Sequence, residues 1–169
     1  MNTLWSKYVQ GTKTLYFSRK LRFDDLFSEQ YRCLFDLDVN RKLKILEIGC
    51  GPGALASALH RWYPYAEITA IDRDSEFIRF ATEHEPEVNF VEGDATTLPF
   101  EDNTFDVTIS NTVAEHIEPS KFYGEQVRVL KRGGVCLVLS SRKGIHINPK
   151  CTTSNEYERQ FWKKVKENW

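Results

Sequence analysis

Three glycines at alternate positions, Gly49, Gly51 and Gly53, follow the short apolar run Ile45-Leu46-Glu47-Ile48. A helix-compatible apolar segment, Ala54 to His60, comes directly after them. This pattern predicts a buried strand, a tight turn and a helix start. Without Cβ atoms the turn can adopt positive φ and let a ligand approach the backbone. The free N–H groups of the following helix point into the same space. The stretch, with Cys50 inside it, therefore reads as a cradle for a cofactor. Glu47 adds a carboxylate within the strand, which costs desolvation unless it is paired. A ligand ammonium would pair it, and so would N–H groups of the turn that it braces.

Two further carboxylates end predicted strands. Asp72 could accept both hydroxyls of a ribose. Arg73 beside it could lie against an adenine or stand in solvent. Asp94 in Gly93-Asp94-Ala95 could take a hydrogen bond from an adenine amino group, or make a local turn bond. The glycine turn by itself fits two cofactors. Gly51-Pro52-Gly53-Ala54-Leu55-Ala56 matches the dinucleotide pattern G-x-G-x-x-A, and Asp72 lies roughly 20 residues on, where a ribose-binding acid belongs. An NAD-dependent oxidoreductase thus remains open at this point.

The elements that must hold these groups alternate regularly. Leu43–Ile48, Glu67–Ile71, Val88–Val91, Phe105–Ser110 and Val135–Leu139 read as strands one to five. Helices are expected over Ala54–Trp62, over Ser75–His84, and from Pro119 through Phe122, Val127 and Leu130 to Gly133-Gly134. This rhythm implies a mostly parallel α/β sheet with right-handed crossovers. Ligands bind such sheets at the carboxyl ends of the strands, where the strand order reverses. Upstream, Phe23, Leu26, Phe27, Tyr31, Leu34 and Phe35 repeat at helical spacing, with Asp24 and Asp25 favouring a helix N-terminus. Downstream, 144–153 reads as loop. Tyr157, Phe161, Trp162, Val165 and Trp169 form one stripe of an amphipathic helix.

Five ordered motifs resemble those of the class I S-adenosylmethionine-dependent methyltransferases, most closely the group called type 11. They are Glu47-x-Gly49-x-Gly51-x-Gly53 and the string Gly93-Asp94-Ala95 to Leu98-Pro99-Phe100. Phe105-Asp106-Val107 through Asn111, Glu115-His116-Ile117, and Val129-Leu130-Lys131-Arg132-Gly133-Gly134 complete the set. In the last of these Arg132 replaces the usual proline. The resemblance covers about residues 43–142 and implies a Rossmann-like, doubly wound sheet of about five strands. It further implies strand order 3-2-1-4-5 with helices on both faces. It divides the chain into an N-terminal segment or lid (1–42), a cofactor-binding core (43–142), and a loop with a C-terminal helix (143–169).

By resemblance, Gly49, Cys50, Gly51 and Gly53 would surround the methionine part of S-adenosyl-L-methionine, with Glu47 on the turn and the amino group. Asp72 and Arg73 would serve the ribose and adenine side, and Asp94 and the Ala95 N–H would read adenine. The Asn111 carbonyl would face the methionine ammonium, and Tyr16 and Arg19 would belong to a lid. His116 is the candidate base, or else a histidine of the helix or core. Methyl transfer would yield S-adenosyl-L-homocysteine and a methylated small-molecule acceptor. A module that binds the cofactor without catalysis is the alternative. No N/D-P-P-Y/F follows strand four, which demotes nucleobase amines. Ser110-Asn111 and Ser140-Ser141 place no acids at those strand ends, so no metal is expected.

The bulk numbers agree with one globular domain. Lys and Arg total 23 against 24 Asp and Glu, leaving no basic excess of the kind that nucleic acid binding uses. The cysteines Cys33, Cys50, Cys136 and Cys151 form no C-x-x-C pair, which fits a reducing cytoplasm. No run is long enough to span a membrane. Sixth and seventh strands, which the resembled fold would have, find no pattern. The expectation is a fragment, or a partner such as a second copy covering the edge of strand five or the C-terminal helix.

Overall fold

The computed structural model describes residues 11–140. Helices α1 (Gly11–Arg22) and α2 (Ser28–Phe35) precede a β/α alternation. This runs β1 (Lys44–Ile48), α3 (Ala54–Trp62), β2 (Glu67–Asp72), α4 (Ser75–His84), β3 (Asn89–Glu92), β4 (Phe105–Asn111), α5 (Pro119–Val129) and β5 (Leu130–Leu139). The strands pair in parallel throughout, in the order β3-β2-β1-β4-β5. This is the Rossmann-like order that the motifs imply. The order reverses beside β1, which places its C-terminal turn at the natural ligand crevice.

Alternation along β1 divides the core. Ile45 faces a cluster built with α1, α2, α3 and α4, through Phe23, Phe35, Leu55, Leu59, Trp62 and Phe80. Leu46 and Ile48 face the opposite side, against Ile71, Leu98, Phe122 and Val129. Both faces of the central strand are thus covered, as a parallel sheet requires. No helix among the described residues is long and apolar enough to cross a membrane.

Three expectations need correction. The periodic residues from Phe23 to Phe35 do not form one helix. A 3₁₀ turn, Asp25–Phe27, is capped by the Asp24 side chain accepting from the Leu26 N–H, and α2 starts after it. Leu26 is consequently 83% exposed, although the pattern put it inside. The helix upstream, α1, was hidden because its polar residues mask its inward pair, Thr12 and Tyr16.

The third correction concerns α5, which ends at Val129 and not at the glycine pair. Strand β5 begins at once with Leu130 opposite Phe105, and regular pairing resumes at Val107 with Val135. Gly133, at φ 81°, and Gly134 occupy the bulge between those two pairings. A Cβ at Gly134 would sit 2.9 Å from the Lys131 carbonyl oxygen and 3.0 Å from that of Asp106, so only glycine fits there. Val127 points outward, and the inward stripe of α5 is Phe122, Gln126 and Val129. The expected C-terminal helix lies outside the described residues.

Candidate functional site

At the end of β1 the chain reverses sharply. The N–H groups of Gly49 and Cys50 both donate to the Ile71 carbonyl, at 2.8 and 3.1 Å. The three glycines have φ of 73°, 55° and 87°, all in the left-handed region that favours glycine. They nevertheless do different work. A Cβ at Gly49 would lie 2.4 Å from Val113 Cγ2, so this glycine lets β4's exit loop pass. A Cβ at Gly53 would lie 2.8 Å from Phe90 Cζ and 3.0 Å from Ala81 Cβ. Gly53 therefore joins α3 to β3 and α4 and is not among the residues lining the cavity. Around Gly51 a Cβ would meet nothing within 4 Å. Its bare backbone borders open space.

That space is a cavity of about 740 Å³, of a size to take a nucleoside cofactor. Its floor is the turn, with Glu47, Gly49, Cys50, Gly51 and Pro52. One wall is the end of β2 and β3, with Asp72, Arg73, Asp94 and Ala95. The opposite wall is the exit of β4, with Asn111, Thr112, Val113 and His116. Leu15, Arg19 and Phe23 contribute from the N-terminal segment. Thus the cavity unites Glu47, Gly49, Cys50, Gly51, Asp72, Arg73, Asp94, Ala95, Asn111, Arg19 and His116.

Tyr16 is the other residue left out. It is buried away from the cavity, its ring edge-on to Phe80 and its hydroxyl bonded to Glu85, with Lys20 donating to it at 3.2 Å. Its helical position, one turn before Arg19, faces α4. Tyr16 anchors the segment, and Arg19 borders the space.

Glu47 is 3% exposed. Its Oε2 has no hydrogen-bond partner, an uncommon state for a buried carboxylate. Burial holds its pKa well above the usual carboxylate range. The charge of Asp72 adds to that, and the Ala56 N–H opposes it. Gly53, as N-cap of α3, has no side chain to offer the helix, and the Ala56 amide lies in the first turn of that helix. Glu47 thus braces the turn and still has an unspent acceptor. Burial likewise pushes the neighbouring Cys50 thiol up, with Glu47 and Asp72 adding to the effect. An inert thiol follows.

Asp72 is already engaged. Its Oδ2 accepts from the Gly51 N–H at 2.8 Å and its Oδ1 from the Asp74 N–H at 2.9 Å. Each oxygen keeps a further lone pair. Asp94 shows the local turn bond: Oδ1 accepts from the Thr96 N–H and Oγ1, both at 2.7 Å. Those Thr96 bonds hold its carboxyl below the usual range, and Oδ2 is left over. The Asn111 carbonyl accepts from Thr112 Oγ1 at 2.7 Å. His116 closes a 3₁₀ turn, Ala114–His116, and is exposed at the cavity.

A clasp that the sequence does not announce also shapes the site. Arg128 on α5 bonds the Leu98 and Phe100 carbonyls at 2.9 and 2.8 Å, Asp102 at 2.8 Å, and Glu125 through Nε at 2.7 Å. Glu125 in turn accepts from the Leu98 N–H. Together they fix the loop that starts at Asp94. Apart from Glu125 on its own helix, the partners of Arg128 come from a distant segment, so nothing local marks the clasp.

Residues 46–138 match the family model described as a methyltransferase domain, more than half of the chain. The chain belongs to the methyltransferase domain family. The match contains every cavity residue of the turn and of the β2, β3 and β4 ends. It also contains the residues that carried the dinucleotide alternative, and so removes that alternative for the turn. Among similar proteins, a probable phthiotriol/phenolphthiotriol dimycocerosates methyltransferase of Mycobacterium ulcerans is 41% identical over 108 residues. The alignment spans 62% of this chain and 41% of that protein. A fatty-acid O-methyltransferase of Mycolicibacterium smegmatis is 38% identical over 62% of this chain and 39% of that one. The alignments therefore span about two fifths of the length of these relatives. A structure from Methanococcus maripaludis, solved as a candidate S-adenosyl-L-methionine-dependent methyltransferase, has a TM-score of 0.67 at 21% identity. It covers 94% of this chain and 75% of that one, and it supports the fold alone.

Proposed function

We propose that this methyltransferase domain binds S-adenosyl-L-methionine in the cavity and transfers its methyl group to a small apolar acceptor. The observation that carries this reading is the buried, unpartnered Oε2 of Glu47 on the floor beside Gly51, whose missing Cβ leaves open space. A ligand with an ammonium group meets both features. When bound, the cofactor would supply a sulfonium methyl that leaves a neutral thioether behind. The chain's own work is then mostly positioning. Glu47 would face the ammonium, Asp72 the ribose hydroxyls, and Asp94 Oδ2 with the Ala95 N–H the adenine edge. Arg73 stands at the same wall. The Asn111 carbonyl would help to hold the amino-acid end. His116 would take a proton from an acceptor that must lose one. In this reading residues 1–42 close the cavity, 43–142 are the core and 143–169 follow it. A second copy would cover the edge that β5 leaves unpaired among the described residues.

The apolar acceptor is suggested by Leu15, Phe23, Leu55, Phe77 and Ile117 in the lining, and by the phthiotriol/phenolphthiotriol dimycocerosates and the fatty acid for which the two relatives are named. A transfer assay tests this. With methyl-labelled S-adenosyl-L-methionine and a panel of long-chain acids and alcohols, label is expected in the organic phase, and Glu47→Gln is expected to reduce it. Binding of S-adenosyl-L-homocysteine without any transfer would favour the non-catalytic module instead.

A further inference from the structure

Helix α1 lies outside the matched residues, yet it is held firmly over the cavity. Thr12 Oγ1 donates to Glu76 at 2.9 Å. Tyr16 is buried against Phe80 and bonded to Glu85. Just past the other end, Phe23 is buried and its carbonyl accepts from Arg61 at 3.4 Å. Between these anchors Arg19 is turned to the cavity and half-buried. Its Cα cannot drift far, because the residues one turn before and one turn after it are fixed.

Among the described residues the Arg19 guanidinium makes no hydrogen bond or ion pair, whereas Arg61 holds Asp25 and Arg128 holds Glu125 and Asp102. Burial, and then the like charge of Arg22, disfavour its charged form, and no carboxylate acts against them. A guanidinium partly withdrawn from water without an anion is costly. On the cavity floor the charge of Asp72 acts on Glu47, and no acid acts on Arg19. The cavity therefore has an acidic floor and a separate cationic point on its N-terminal side.

We infer that Arg19 is a specificity residue that receives a carboxylate of the bound ligand. Its planar fork suits a carboxylate, which can accept two parallel N–H bonds. The carboxylate comes either from the amino-acid end of the cofactor or from an acidic acceptor. The inference rests on the cavity being the ligand site proposed above, and it adds the sign and shape of one ligand group.

Titrations of the full chain distinguish the sources. In the first arm the probes are S-adenosyl-L-homocysteine and its decarboxylated analogue, which keeps the ammonium. In the second they are dodecanoate and dodecanol, each with and without the nucleoside. Arg19→Gln is expected to lose roughly tenfold or more in affinity for one carboxylate probe, with its uncharged counterpart unaffected. Arg19→Lys, which keeps the charge but not the fork, should fall between. Loss in the first arm assigns the cofactor carboxylate, and loss in the second an acidic acceptor. Equal affinities of wild type and Arg19→Gln in both arms, with unchanged thermal midpoints, would overturn the inference. Failure of the wild type to bind the nucleoside would overturn the proposed cofactor instead, and the dodecanoate arm without nucleoside would still decide Arg19.

Discussion

Asp72→Ala is expected to weaken S-adenosyl-L-homocysteine binding by about 5- to 150-fold, the factor that roughly 1–3 kcal/mol of broken buried hydrogen bonding represents. Two losses add up in this variant. The carboxylate that would hold the ribose goes, and so do the acceptors for the Gly51 and Asp74 N–H groups. With Gly51 N–H unpaired, the turn itself loses definition. The effect therefore reaches beyond one ligand contact, and the thermal midpoint of the ligand-free protein should fall as well. Asp72→Asn separates the two contributions. Its single carbonyl can satisfy one of the two backbone donors, while its amide nitrogen cannot accept from the other. Intermediate stability with poor binding is the expected pattern. An unchanged dissociation constant for Asp72→Ala would show that the ribose lies elsewhere.

Glu47→Gln should separate stability from binding. Burial, then the charge of Asp72, raise the Glu47 carboxyl well above its ordinary pKa. A group raised in this way holds its proton longer in the folded than in the unfolded chain. Its contribution to stability is full below the ordinary carboxylate range and is lost as pH rises through the folded value. The ligand-free wild type should thus lose thermal stability as pH rises from the ordinary carboxylate range through the raised folded value. Glutamine cannot ionise, so the variant's stability should change less over that window. Ligand binding runs the other way. An ammonium against Oε2 favours the carboxylate, so binding should expel a proton from Glu47 and strengthen as pH rises. Calorimetric enthalpies should then depend on the ionisation enthalpy of the buffer. In Glu47→Gln that dependence should vanish, with about tenfold or more of the affinity, as for a hydrogen bond to a charged group. Equal affinity and equal buffer dependence in the two proteins would remove Glu47 from the site.

These expectations rest on elements of unequal legibility. The alternation from β1 to β5 could be read because each strand is a short apolar run closed by turn residues, and parallel crossovers leave few ways to connect such runs. Glu47, Asp72 and Asp94 stand out in the sequence because each is an isolated carboxylate in, at the end of or just past a strand, and all three line the cavity. Helix α1 was not, because Thr12 and Tyr16 are its buried residues and neither is aliphatic. The separate duties of Gly49, Gly51 and Gly53 could not be read either. They depend on Val113, Phe90 and Ala81, which only the fold brings to the turn. Arg128 escaped for the same reason, since its partners other than Glu125 lie on the loop it clasps. Tyr16 and Arg19 looked alike as lid residues in the sequence. One helical turn separates an anchor facing α4 from a cation facing the cavity.

The cavity's role as a site for a sulfonium nucleoside underlies every residue role proposed above. Calorimetric titration of the full chain with S-adenosyl-L-homocysteine and, in parallel, with NAD addresses this most directly. Saturable binding of S-adenosyl-L-homocysteine at one site per chain, without heat from NAD, is the predicted result. Binding of NAD alone, or of neither, would contradict it.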